Sequence, residues 1–281
     1  MRAIKGCKTN VKLFCFCLFA SMMILTLIAF TNETSEVHAA GGLPYDDFHL
    51  STIDRTKWQN LEAERGIKSG AVESRFKQYG SPRSFWMRFN DPNEKNSIQA
   101  DITVTDITND NAQLRTRIAG CFYNSIYAES DEGNGWEGEI WVQIGIRHNS
   151  SGMVAYYAID RCDDYDCNTG TTYFYGEFGP VNQLDTHSLS TAWNWDGSDP
   201  LTNTFSFGFD GTTVTTTDPL PTIIGPSKTQ FKGIGERVDS IDNPDEGGTI
   251  SATFDNVWVN GAPYDDFSAA DGKIDRSKWI D

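Results

Sequence analysis

The chain has 281 residues, of which 38% are hydrophobic and 12% aromatic, and it carries a formal net charge of −16. A chain of this length can bury a full core without help from metals. The acidity argues against nucleic acid as a partner, because phosphate binding needs clustered Lys and Arg that are missing here.

Arg2, Lys5, Lys8 and Lys12 form a basic head, Leu13 to Phe30 is an uncharged apolar run, and Val37-His38-Ala39-Ala40 offers small residues for cleavage. Residues 1–39 therefore read as a secretory signal peptide, with an uncleaved anchor as the alternative because the run is long. Without them, 19 basic residues face 37 acidic ones and the net charge is −18. The expected product is secreted or held at the cell surface, or periplasmic, with no membrane span in the mature chain. Its acidity implies solubility there, or carboxylates that converge on Ca²⁺.

Pro44-Tyr45-Asp46-Asp47-Phe48 and Ile53-Asp54-Arg55-Thr56-Lys57-Trp58 return as Pro263-Tyr264-Asp265-Asp266-Phe267 and Ile274-Asp275-Arg276-Ser277-Lys278-Trp279. That offset is the span of a whole domain. Residues 263–281 are thus either the start of a second, truncated repeat or a tail that closes the domain opened by the first copy.

Between the copies the signals are those of antiparallel β-structure. Ser97 to Asp106 and Ala112 to Tyr123 alternate apolar and polar residues, and in the second run Arg115 and Arg117 share the wet side. Glu139 to Ile146 and Met153 to Asp160 bracket a run of turn formers and predict a hairpin. Thr171 to Phe178, His187 to Trp195 and Asn203 to Phe209 follow as strands. Asp210-Gly211 supplies a tight turn into Thr212 to Thr217, and Thr249 to Val259 is the last long strand. Gln59 to Gly70 is the nearest approach to a helix, weakened by its glycines. Many short strands with Gly- and Asn-rich turns predict an all-β, antiparallel β-sandwich over residues 43–262.

In an oxidising compartment Cys162 and Cys167 are candidates for a short-loop disulfide, which leaves Cys121 as a lone buried thiol; a Cys121–Cys162 bridge is the other possible connectivity.

The opening Tyr45-Asp-Asp-Phe48 with Ile53-Asp-x-x-Lys-Trp58, the strand-turn-strand Phe205 to Val214 and the closing Phe254-Asp-Asn-Val-Trp-Val259 resemble the concanavalin A-like lectin/glucanase superfamily, including laminin G-like modules. The resemblance implies a jelly roll, of a kind that secreted bacterial proteins carry singly or in tandem. It also implies adjacent first and last strands, which would bring Asp47 near Asp255 as a structural Ca²⁺ site at the sheet edge. The glucanases of that superfamily carry alternate carboxylates on one strand, and this sequence departs from that pattern.

The nearest catalytic pair is Glu137 and Glu139, which share a face if both lie in a strand; the plainer reading is two solvated glutamates. Sugar stacking needs exposed rings. Trp136, Trp141, Trp193, Trp195 and Tyr175 are the candidates, against the competing reading of core packing. Asp239, Asp242 and Asp245, and the loop Asp163-Asp164-Tyr165-Asp166, are further possible Ca²⁺ ligands or simply solvated turns. No catalytic signature stands out. The sequence reads as a secreted, non-catalytic module that binds carbohydrate or another extracellular surface component, with a structural or adhesion repeat and a glycoside hydrolase or lyase as alternatives.

Overall fold

Period-two alternation becomes strand after strand. The computed structural model describes residues 63–127, 135–167, 169–195, 199–220, 231–239, 246–268 and 273–280. In chain order its strands are β1 (Ala63–Lys68), β2 (Ala71–Tyr79), β3 (Arg83–Phe89), β4 (Ser97–Asp110), β5 (Gln113–Asn124), β6 (Glu139–Asn149), β7 (Gly152–Cys162) and β8 (Gly170–Pro180). They continue with β9 (Thr186–Asn194), β10 (Thr204–Phe209), β11 (Thr212–Thr217), β12 (Lys232–Asp239), β13 (Gly247–Val259), β14 (Ala262–Asp265) and β15 (Trp279–Ile280). Among the described residues the only helical piece is a 3-10 turn at Pro200–Thr202.

Two antiparallel sheets result. One runs β1-β2-β13-β4-β9-β10-β11, with β14 beside the end of β13; the other runs β15-β3-β12-β5-β6-β7-β8. On β4, Ile98, Ala100, Ile102 and Val104 point inward and meet Leu114, Ile118, Ile144 and Ile234 in one core. Each such branched side chain contributes about 1.5–3 kcal/mol by leaving water. The fold is the predicted jelly-roll sandwich.

The expected hairpin is β6–β7, in register from Ile140↔Arg161 to Asn149↔Gly152. Asp210 adopts φ 46° in the β10–β11 turn, as the Asp-Gly pair requires. Of the stretch that came closest to a helix, Ala63–Lys68 instead forms β1, hairpinned to β2 through Ser69 and Gly70 at φ 55° and 82°. The predicted Cys162–Cys167 disulfide is formed, and Cys121 is free and buried.

The C-terminal copy of the duplicated motif is built into the sandwich. β14 pairs with β13, and β15 pairs with β3. Trp279 stacks on Phe89 at 4.6 Å and on Phe267 at 5.9 Å, and its indole N–H donates to Asp265 at 2.8 Å. The N-terminal copy lies outside the described residues, as does the predicted signal peptide.

Candidate functional site

The outer face of the seven-stranded sheet carries a cavity of about 750 Å³, within the ~300–1,000 Å³ of small-molecule sites. Strand alternation puts Arg115 and Arg117 of β5, Trp141 and Gln143 of β6, Asp160 of β7 and Arg237 of β12 on this face. Trp86, Trp136 and Phe231 wall one end: Trp86 meets Phe231 edge-on at 4.8 Å, and Trp141 stacks on Phe231 at 5.1 Å. Six of the chain's twelve arginines line the cavity, against two carboxylates, Asp160 and Asp166. In a chain of net charge −16 that concentration sets this face apart, although Arg115 and Arg237 share Asp239 and Arg161 pairs with Asp163.

Arg117 occupies the floor. It is 3% exposed, and no ion pair reaches it among the described residues. One Nη donates to Gln143 Oε1 at 2.5 Å, the other to Ser84 Oγ at 3.2 Å, and the guanidinium lies 4.6 Å over the Trp86 ring. Its Nε is buried without a hydrogen-bond acceptor. Burial pulls Arg117 down to about 10, so the group stays cationic at neutral pH. Its strand neighbours are Gly235 and Gly145. A methyl group at Gly145 would collide with the Thr116 carbonyl and with Arg117 itself, and one at Gly235 with the Phe85 carbonyl and the Trp86 ring. These two glycines make the floor that the guanidinium and indole occupy.

Polar contacts run outward from that floor. Gln143 Oε1 also accepts from the Tyr156 hydroxyl at 3.1 Å, and its amide donates to Asp160 Oδ2 at 3.0 Å. Thr172 donates to the other Asp160 oxygen at 2.5 Å. The Gln143 amide is thereby locked between a cation and a carboxylate. At the margin, Asp239 receives Arg115 at 2.9 Å and also Arg237. The disulfide-closed loop supplies Asp166 and Cys167 to another wall, and the Tyr165 carbonyl takes the Trp136 N–H at 2.8 Å.

Of the residues singled out from sequence, Trp136 and Trp141 line the cavity, and Tyr175, 46% exposed, lies outside the lining and stacks on Tyr156. Trp195 is 36% exposed, away from the lining. Trp193 is core: 2% exposed, stacked on Tyr123 at 4.9 Å, with its N–H donated to Asp218. Glu137 lies in the turn before β6, and Glu139 is fully buried, hydrogen-bonded by Asn124 at 3.3 Å. The two therefore do not present a shared strand face, and neither lines the cavity.

Asp239, expected as a calcium ligand, instead spends its oxygens on Arg115 and Arg237. Burial and the neighbouring Asp101 and Asp266 hold the Asp255 carboxyl above its usual range. Among the described residues no three acidic, His or Cys side chains converge into a metal-binding group. Asp47, Asp242 and Asp245 lie outside the described residues. No described helix is long and apolar enough to cross a membrane.

Sequence reasoning missed Gln143, Asp160, Arg237, Trp86 and Phe231. The one available signal was Arg115-x-Arg117, two cations on the wet side of a strand whose other residues are mostly buried.

The chain is an antiparallel jelly-roll β-sandwich with a cationic, aromatic cavity on one outer face. No protein-family model matches it, and no curated protein does. Similar solved structures include a family 7 alginate lyase in complex with substrate, 11% identical, with 74% of this chain and 84% of that one covered at a TM-score of 0.43. A galactohydrolase is 9% identical, with 73% and 90% covered at 0.38. A legume lectin-like domain from Entamoeba histolytica is 10% identical, with 70% and 87% covered at 0.36. At these identities the likeness concerns the fold alone. These similar structures include two alginate lyases, the galactohydrolase and a glutamic peptidase beside the lectin-like domain, so the expectation of a non-catalytic module is corrected to the extent that enzymes share this fold.

Proposed function

We propose that the protein is a polysaccharide-cleaving enzyme, a lyase that acts on an acidic glycan in the cavity over Arg117. The observation that carries this reading is Arg117 itself. A buried guanidinium with no counter-charge is costly. A carboxylate brought in by the ligand offsets that cost, because it matches the guanidinium fork through charge-assisted hydrogen bonds. The rings of Trp86, Trp141 and Phe231 supply the apolar wall against which the C–H face of a sugar stacks.

Elimination fits the charge balance. In a uronate the C5 proton is acidified once the adjacent carboxylate is neutralised, and Arg117 with Arg115 neutralises it and stabilises the enediolate that forms. Asp160 takes the C5 proton as general base. The C4–O bond then breaks, its electron pair leaves with the departing oxygen, a C4=C5 double bond remains, and water protonates the leaving group. Gln143 keeps Arg117 and Asp160 at fixed separation. Hydrolysis fits less well. It calls for two carboxyl groups facing each other across the bond, ~5–9.5 Å apart, whereas the second acid of this lining, Asp166, belongs to the exposed disulfide loop. The basic-then-apolar head and the disulfide support action outside the cell.

The test is charge. A polyuronate and its carboxyl-esterified form are offered side by side. Cleavage of the free acid alone is expected, and equal cleavage of both would remove Arg117 from its role.

A further inference from the structure

The cationic face does not end at the cavity. Arg237, Arg115 and Arg147 stand in register on the adjacent strands β12, β5 and β6. Beyond Arg115, which lies 5.6 Å over the Tyr156 ring, Tyr156 stacks on Tyr175 with ring centroids 6.4 Å apart and planes 23° from parallel.

Tyr175 is an exposed aromatic that is nonetheless held. Its hydroxyl donates to Glu177 Oε1 at 2.7 Å, the same oxygen pairs with Arg147, and the Arg147 guanidinium sits 5.3 Å over the Tyr175 ring. Burial, together with the Glu177 carboxylate, pushes the Tyr175 hydroxyl up to about 12, so it stays protonated and keeps donating. Arg147 Nε is buried without an acceptor, although the ion pair occupies one of its Nη groups. A side chain that serves only as packing does not keep 46% of its surface in water while three neighbours fix its orientation. A ring fixed in this way loses little further freedom when a ligand lands on it.

We propose that Tyr175, with Arg147 and Glu177, forms an outer subsite that binds a further sugar of the acidic chain whose reacting unit sits over Arg117 and Gln143. From Arg117 on β5 to Tyr175 on β8 is three strand spacings with a two-residue offset, on the order of 15 Å, which is more than one sugar ring spans. The glycan therefore crosses the strands of the sheet, its ring on Tyr175 and its acid group toward Arg147. Chains too short to reach Tyr175 gain nothing from it.

This inference rests on the acidic-glycan reading, and the experiment separates the two. Calorimetric titration of the wild-type chain, Tyr175→Ala, Tyr175→Phe and Arg117→Ala uses oligouronides, one a disaccharide and one a hexasaccharide. Tyr175→Ala is expected to weaken the hexasaccharide about tenfold, the size of one lost stacking contact, and to leave the disaccharide within about twofold. Tyr175→Phe keeps the ring and the affinity. If Tyr175→Ala has no effect while Arg117→Ala abolishes binding of both lengths, the cavity reading stands and the subsite is lost. Equal weakening of both lengths by Tyr175→Ala also removes it, and a wild-type chain that binds neither oligouronide overturns both ideas.

Discussion

The two outer faces of the sandwich obey the same alternation and come out chemically opposite. Across β4, β9, β10 and β11 of the eight-stranded sheet the outward residues are mostly short and polar, and many satisfy one another. Thr103 and Thr186 meet at 2.7 Å, Gln99 donates to Ser188 at 3.1 Å, and Asn194, Ser206 and Thr215 are linked at 3.1 Å. On the seven-stranded sheet the outward residues are long, charged or aromatic, and glycines beside Arg117 leave room for its guanidinium. The contrast teaches that the fold assigns only direction, inward or outward. Side-chain length and unmet hydrogen-bonding capacity decide which face becomes a site.

The largest expected effect comes from breaking the difference at its centre. Arg117→Ala should lower kcat/KM on a polyuronate by about 10²–10³-fold, the loss seen when a preorganised charge-stabilising donor is removed. Arg117→Lys should recover only part of it, because an ammonium lacks the planar fork. Steady-state kinetics decides this, and full activity in Arg117→Ala would merge the two faces again.

Next in size is the carboxylate buried between the faces. Glu236 of β12 is fully buried, receives the Ser74 hydroxyl at 2.8 Å, and is pushed by burial up to about 8. Its folded value lies above its unfolded value, so the unfolded chain gives up the proton first. The stability from this group is present in full below about 4.5 and is lost as pH rises toward about 8, an effect of a few kcal/mol. Glu236→Gln should flatten the urea-unfolding stability across that window and raise stability at its alkaline end.

Smaller still is the effect of filling the floor. Gly145→Ala should cost about 1–3 kcal/mol through overpacking and weaken oligouronide binding as Arg117 is displaced, which denaturation and calorimetry would read together. Smallest is the change on the quiet face. Thr215→Ala should shift stability by about 0.5 kcal/mol or less and leave turnover alone, and a large loss of turnover there would move the site to the other sheet.

Much of this contrast was legible before the fold was known. Strands β4 to β10 and β13 show in the sequence because their inward positions are largely apolar, as in Ile98-x-Ala100-x-Ile102-x-Val104, and β11 shows as the return from the Asp210-Gly211 turn. Strands β2 and β12 do not show, since their inward positions include Ser74 and Gln78 in one and Lys232 and Glu236 in the other. Those polar groups are tolerated because they are hydrogen-bonded, as Ser74 is to Glu236 and Lys232 to the Pro92 carbonyl at 3.1 Å. The site shared that fate. Arg115 and Arg117 could be read as wet-face residues, but their companions Trp86, Phe231 and Arg237 belong to β3, to β12 and to the residue before it. Only the pairing of β12 with both β3 and β5 brings them together. Trp193 looked equivalent to Trp195 by spacing, but β9 ends at Asn194, so Trp193 is a core ring and Trp195, past the strand's end, is exposed.

The most direct measurement follows the product. Polyuronate is incubated with the wild-type chain while new reducing ends and the ultraviolet absorbance of an unsaturated uronide are recorded together. Elimination over Arg117 predicts that both rise in step and that Arg117→Ala slows both together. Reducing ends without the absorbance, or no cleavage of any acidic glycan, would contradict it.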